Sequence, residues 1–225
     1  WAFQTGDGSQ YGIPGWGNNE AQYYREENAF VNTGYLNIQL KNESFEGKTY
    51  TSARLWTNNI FSQTYGRFEA RIKLPLGNGL WPAFWLLPDN TTYGTWAANG
   101  EIDIMEARGR IPEEASGAIH YGGQWPNNTY TSGVYQFPSG QTINEFHVYA
   151  IEWEDNQIRW YINDELYYQT SDWYSENGEY PAPFNTNFYI ILNLAVGGAF
   201  DGGILPDVSI FNDDVLMQID YVRVF

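Results

Sequence analysis

The chain has 225 residues, with 11 Lys and Arg against 27 Asp and Glu for a formal charge of -16, a field that repels phosphate backbones and excludes nucleic acid as a partner. Cysteine is absent, which removes disulfides, thiolate nucleophiles and Cys-based zinc sites together. Aromatics reach 18% while charged residues stop at 17%, so the chain is expected to fold as one aromatic-rich domain and not to remain disordered.

Taken in chain order, apolar residues alternate with a period of two from Gly34 to Leu40 and again from Gly66 to Leu74, where positions 68, 70, 72 and 74 are apolar. Similar runs cover Phe146 to Trp153, Gln157 to Ile162, Phe188 to Leu194 and Met217 to Phe225. Glu154-Asp155-Asn156 fits a hairpin turn, and Gly, Pro, Asn and Asp fill the gaps between runs. No stretch holds a 3.6-residue period, so the expectation is an antiparallel β-sandwich with one sheet face available for a groove. The longest apolar stretches, such as Phe188 to Val196, fall short of the ~18–20 residues that span a bilayer, so no membrane anchor is expected. The chain opens at Trp1 with no leader pattern; a secreted protein whose export signal has been removed, acting as a monomer, is the expectation.

The sharpest local feature is Gly100-Glu101-Ile102-Asp103-Ile104-Met105-Glu106-Ala107. In a regular strand Glu101 and Asp103 share a face while Glu106 points to the other. Burying Glu106 is costly and exposing Met105 gains little, so a β-bulge near Ile104-Met105 is predicted, bringing three carboxylates to one face. A solvated acidic edge strand is the alternative. Crowded carboxylates, however, raise one another's pKa values, which is how an acid and a base are made from the same side chain, and glycoside hydrolysis needs such a pair.

Upstream lies Gly79-Leu80-Trp81-Pro82-Ala83-Phe84-Trp85-Leu86-Leu87-Pro88. Phe84, Leu86 and Leu87 are assigned to the core; Trp81 and Trp85 flank the acids in sequence and offer indole faces onto which sugar C–H faces stack. Trp16, Trp96 and Trp125 add to an aromatic excess in loops, where turns need only polar residues and glycine. Of the two histidines, His120 follows an alternating stretch and is placed in the cleft, whereas His147 is read as structural. Two histidines and no cysteine make a catalytic zinc site improbable.

The pair WPAFWLLP and GEIDIMEARG resembles the laminarinase-type members of glycoside hydrolase family sixteen. Further similarity runs through Gly15 to Glu20, Tyr50 to Arg54, Gly66 to Arg71, Ile119 to Gly123, His147 to Trp153, Leu192 to Gly198 and Ile219 to Val222. The resemblance implies a concanavalin-like jelly roll of two curved antiparallel sheets, with Glu101 as nucleophile, Asp103 as its assistant and Glu106 as general acid and base. It further implies substrate contacts at Asn18, Arg54, Trp81, Trp85, His120 and Trp125, with Glu20, Glu69, Arg71 and Asn193 as additional candidates, and no cofactor for catalysis. The residue inserted at Met105 sets the chain apart from lichenases and xyloglucan-active members, and leaves laminarinases, agarases and carrageenases. Scarce basic residues argue against a sulfated galactan, so the implied partner is a β-1,3-glucan. A mixed-linkage glucan or galactan hydrolase, or a glucan-binding module without activity, is the competing reading.

Relatives also imply a structural calcium, with Gly34 and Asp220 at the matching positions. The Asp-Glu-Phe strand that opens the family's fold has no counterpart before Trp1, so one sheet edge is expected to be open unless the strand Tyr221 to Phe225 or another segment covers it.

Overall fold

Alternating apolar residues punctuated by Gly, Asn and Asp give sixteen strands joined by turns and short 3-10 segments in a computed structural model that describes residues 1–225. One sheet has the order β1 (Ala2–Phe3), β6 (Arg54–Trp56), β15 (Phe188–Val196), β8 (Leu80–Pro88), β9 (Glu101–Glu106), β10 (Glu114–Gly122) and β11 (Asn128–Gln136). The other runs β14 (Glu165–Thr170), β13 (Gln157–Ile162), β12 (His147–Glu154), β7 (Gly66–Lys73), β16 (Val215–Val224), β4 (Tyr35–Phe45), β5 (Lys48–Ser52) and β2 (Gln22–Tyr24), with β3 (Ala29–Asn32) hydrogen-bonded to β4. Only β2 and β5 pair in parallel. The result is the jelly-roll sandwich that the alternation and the resemblance led us to expect.

The apolar rows face each other between the sheets. Phe68 and Ile72 of β7, Ile151 and Trp153 of β12 and Trp160 of β13 pack with Phe84, Leu86, Ile102, Ile119 and Leu192 from the opposite sheet. The hairpin turn is Asp155-Asn156, with Glu154 paired to Gln157. Two expectations change. Leu87 is outside the core, because the alternation of β8 turns Leu80, Phe84 and Leu86 inward and leaves Leu87 half-buried on the outward row of Trp81 and Trp85. The C-terminal strand covers no edge; β16 sits inside its sheet between β7 and β4, and the edge beside β6 is closed by the two residues of β1.

One cross-sheet contact underlies the acid strand. The Trp160 indole lies over Gly117 of β10, where an added Cβ would meet Trp160 Cδ1 at 2.2 Å, and its Nε1 donates to the Asp103 carbonyl at 2.8 Å. Only glycine leaves room for the ring there, so the core side of β9 is fastened by a side chain from the other sheet. Gly117→Ala is therefore expected to lower stability by about 1–3 kcal/mol through overpacking. Trp160→Phe should cost about 0.5–1.5 kcal/mol by removing one buried hydrogen bond. Both would read as lower midpoints in urea unfolding, and unchanged midpoints would show that the indole can move at no cost.

Candidate active site

The register of β9 shows how its acids come together. Leu86 pairs with Ile102 and Trp85 with Asp103, then Phe84 pairs with Met105 and Ala83 with Glu106, so Ile104 is the extra residue of a β-bulge. On the other side Ala118 pairs with Asp103 and Ser116 with Glu106 across the same shift. Ile104 and Met105 are both buried in the core, and Glu101, Asp103 and Glu106 emerge together on the outer face. The bulge is where the chemistry of the sequence demanded it.

The three carboxylates share that face with His120, which β10 sets opposite Glu101. His120 Nε2 lies 3.3 Å from Asp103 Oδ2 and 3.9 Å from Glu101 Oε1. Burial opposes the imidazolium, but the contact with Asp103 and the surrounding carboxylates outweigh it and raise the His120 pKa to about 9. Asp103 is itself buried, its side chain only 4% exposed, so the pair of Asp103 and His120 forms an internal ion pair at neutral pH.

Burial, then the Asp103 charge, pushes both Glu101 and Glu106 up to about 8. What separates the two glutamates is the company of their anions. Glu101 is stabilised by His120, by a hydrogen bond from Trp96 Nε1 at 2.8 Å and by the charge of Arg54. Glu106 has the Trp81 Nε1 bond at 2.9 Å and the more remote His120, and it also feels the charge of Glu101. The anion of Glu101 thus has more cationic company than that of Glu106, which has one indole bond and a second carboxylate beside it.

Beside the acids the aromatic floor is fixed by polar side chains. Trp85 Nε1 donates to Asn193 Oδ1 at 2.7 Å, Asn193 Nδ2 donates to the Tyr24 hydroxyl at 3.1 Å, and that hydroxyl donates to Glu20 at 3.1 Å. Glu20 is buried and also accepts from Gln22 at 2.7 Å and Asn18 at 3.3 Å; burial raises its pKa against the pull of Arg54. Glu20 is thus an organiser beneath the face and not a group offered to a ligand. Arg54 lies between the Trp16 and Trp85 rings, 4.6 and 4.8 Å from their centroids, with Nε on Gln4 Oε1 at 2.7 Å. Its terminal nitrogens carry no protein hydrogen bond. Trp81 stacks on Phe200, centroids 4.9 Å apart, and Arg108 covers the other face of that pair, 4.2 Å from the Phe200 centroid. Trp125 stands 72% exposed at the rim between β10 and β11.

Two expected residues lie elsewhere. Glu69 and Arg71 belong to β7 in the nine-stranded sheet, on its outer face, where Arg67 bonds Glu69 at 2.9 Å and Arg71 bonds Asp220 at 2.7 Å. Alternation with the buried Phe68, Ala70 and Ile72 puts them on the side of the sandwich away from the acids. The calcium positions do adjoin each other, since Ile219 pairs with Leu36 just beyond the turn that holds Gly34. Thr33 and Gly34 form a two-residue hairpin turn with φ of 49° and 87°, which by itself explains the glycine. The Asp220 carboxylate is engaged by Arg71 at 2.7 Å, so holding a cation there would compete with that ion pair. His147 is structural as expected, its ring nitrogens held by Thr142 O and Asn163 Nδ2 at 2.9 Å each.

Reading the residues in sequence missed Trp96 as a partner of Glu101, Tyr24 as the link between Glu20 and Asn193, and Phe200 as the cover of Trp81. The spacing Glu20, Gln22, Tyr24 is a period-2 polar row that could have revealed the second; nothing local marks Phe200.

A model described as glycosyl hydrolases family 16 matches residues 17–222. The chain is 47% identical over 225 residues to glucan endo-1,3-beta-glucosidase A1 of Niallia circulans, covering 94% of this chain and 33% of that protein, so it spans a third of that relative's length. It is similar to the solved laminarinase of Rhodothermus marinus, with TM-score 0.85 and 43% identity over 100% of this chain and 89% of that one. The laminarinase catalytic domain of Thermotoga maritima MSB8 superposes with TM-score 0.86 at 38% identity, covering 100% and 90%. Since the matched span takes in the bulged acid strand, the tryptophans beside it and both sheets that hold them, the chain belongs to glycosyl hydrolase family 16.

Proposed function

We propose that this chain is a retaining endo-hydrolase of β-1,3-glucan. The observation that carries the reading is the bulge in β9, which brings Glu101 and Glu106 to one face on either side of a buried Asp103, where burial and the Asp103 charge raise both glutamates to about 8. Glu101 attacks the anomeric carbon while Glu106 protonates the departing glycosidic oxygen; water, deprotonated by Glu106, then releases the sugar from Glu101. In the first step Glu101 loses its charge to the new bond as Glu106 gains one, so the summed charge of the two glutamates is unchanged. Hydrolysis by two carboxylates needs no cofactor.

The linkage class rests on the aromatic floor and on where the bases lie. Trp85, held in place from below by the buried Asn193, offers a flat indole beside the Arg54 guanidinium, suited to an uncharged sugar. Arg67, Arg71 and Arg159 are paired with acids on the far sheet, and Arg110 with Asp201 at 2.8 Å, so the cleft offers little to a sulfated galactan. The solved laminarinases that resemble the chain support the same substrate. A binding module would have no use for two glutamates driven so far from their ordinary range. Secretion and a monomeric state accompany this reading, as does a polysaccharide partner in place of nucleic acid or membrane; no helix is long and apolar enough to cross a bilayer.

Release of reducing ends from laminarin, mixed-linkage glucan, agarose and carrageenan is the direct test. Laminarin should be the best substrate, and Glu101→Ser should lose at least ~10⁴-fold in kcat while still binding laminari-oligosaccharides; residual turnover near wild type would put the nucleophile elsewhere. Trp85→Ala should cost about 1–3 kcal/mol in kcat/KM, as truncating a central aromatic contact does, and unchanged kinetics would remove Trp85 from the binding surface. The rate should fall as pH rises through about 8, where Glu106 loses the proton it must donate. Because Asp103 raises that pKa more than His120 lowers it, Asp103→Asn is expected to move the alkaline limb to lower pH. A limb that stays in place would assign it to another group.

A further inference from the structure

Each catalytic glutamate receives a single side-chain hydrogen bond, and in both cases the donor is an indole. Trp96 Nε1 donates to Glu101 Oε2 at 2.8 Å, and Trp81 Nε1 donates to Glu106 Oε1 at 2.9 Å. An indole N–H donates and never accepts. The oxygen it meets must therefore present a lone pair, whatever the protonation state of the carboxyl group. From this asymmetry, and resting on the hydrolytic roles given above, we infer that Trp96 and Trp81 are positioning residues that assign the work within each carboxylate, making Glu101 Oε1 the attacking atom and Glu106 Oε2 the atom that carries the proton.

A hydroxyl oxygen is a poorer acceptor than a carbonyl oxygen, so a neutral Glu106 carboxyl keeps the stronger Trp81 bond with its carbonyl oxygen at Oε1 and its proton on Oε2, which accepts no hydrogen bond from the protein. In the first step Glu101 Oε1 supplies the electron pair of the new bond to the anomeric carbon. The bond from that carbon to the glycosidic oxygen breaks with its pair on oxygen, and the Oε2 proton of Glu106 completes the leaving hydroxyl. In the second step Oε2 takes a proton from water, the water oxygen bonds to the anomeric carbon, and its bond to Glu101 Oε1 returns its pair to the carboxylate.

For Glu101 the geometry has the same sense. Oε2 is tied to Trp96, while Oε1 lies 3.9 Å from His120 Nε2, outside hydrogen-bonding distance, and keeps its lone pairs. Trp96 is seated for the purpose. Its carbonyl accepts from Trp125 N at 3.0 Å, the neighbouring Thr95 hydroxyl donates to Gln124 at 2.8 Å, and its ring lies 5.7 Å from that of His120, which stacks in turn on Tyr130. The loop before β9 is thereby pinned to the turn between β10 and β11, and the indole N–H is aimed at the nucleophile. Trp81 is seated by its stack on Phe200.

Phenylalanine keeps the ring and removes the donor, so W96F and W81F isolate the hydrogen bonds. Two substrates separate the roles: laminarin, whose sugar leaving group needs protonation, and a 2,4-dinitrophenyl β-laminaribioside, whose leaving group does not. W96F is expected to lose about 10- to 100-fold in kcat/KM on both, the scale of one hydrogen bond to a charged group, with the acid limb of the pH profile moved to higher pH. W81F is expected to lose a similar factor on laminarin and far less on the dinitrophenyl glycoside. Melting temperatures check the fold of each variant, and W96L reports the same acid limb if W96F is unstable. A folded W96F whose acid limb has not moved, or a W81F whose losses are equal on the two substrates, overturns the assignment, because a merely structural role would scale both substrates alike. Wild-type inactivity on laminarin, or activity surviving in Glu101→Ser, would instead defeat the underlying functional reading.

Discussion

The site depends on one irregularity in one strand. Six residues from Glu101 to Glu106 must deliver three carboxylates to the outer face and three apolar side chains to the core, and the strict two-residue period cannot do both. The bulge at Ile104 resolves the conflict, and the surrounding fold is arranged to accept it. Gly117 on the neighbouring strand gives up its side chain, and Trp160 from the far sheet occupies the space and takes the Asp103 carbonyl. The electrostatics follow from the same event. Once the acids share a buried face, burial and the Asp103 charge raise the pKa of both glutamates, and the indole and imidazole partners pull against that rise.

The polar environment is graded outward from that strand. Asp103 and His120 form a nearly neutral pair, the indoles of Trp96 and Trp81 hold one oxygen of each glutamate, and the chain from Trp85 through Asn193 and Tyr24 to Glu20 sets the plane of the aromatic floor. None of these partners is long and mobile in the manner of lysine. Rings and short amides lose little freedom when ordered, so the geometry is held before a substrate arrives.

Much of this was legible in the residues. The period-2 runs gave nearly every strand they marked, and the bulge could be deduced from the cost of burying Glu106 or exposing Met105. What alternation cannot report is which sheet a strand joins. The family resemblance of their segment implies Glu69 and Arg71 as companions of the acids, yet β7 belongs to the opposite layer. Leu87 was misplaced for a different reason, since a run of apolar residues at the end of β8 masks the phase set by Leu80, Phe84 and Leu86. Contacts made across many residues, such as Phe200 on Trp81 or Tyr24 on Asn193, have no local signature beyond an excess of aromatics in unexpected places.

The position of β16 has a kinetic side. It is zipped between β7 and β4, so residues 215–224 must insert into the middle of a sheet whose other members lie some way back along the chain. A ribosome releasing this sequence would have β4 and β7 outside the exit tunnel long before the strand that joins them. During that interval two long apolar edges stand open, each a template for pairing with another chain. The nine-stranded layer is thus completed only when β16 has found its place, after every strand of the acid-bearing sheet has been made.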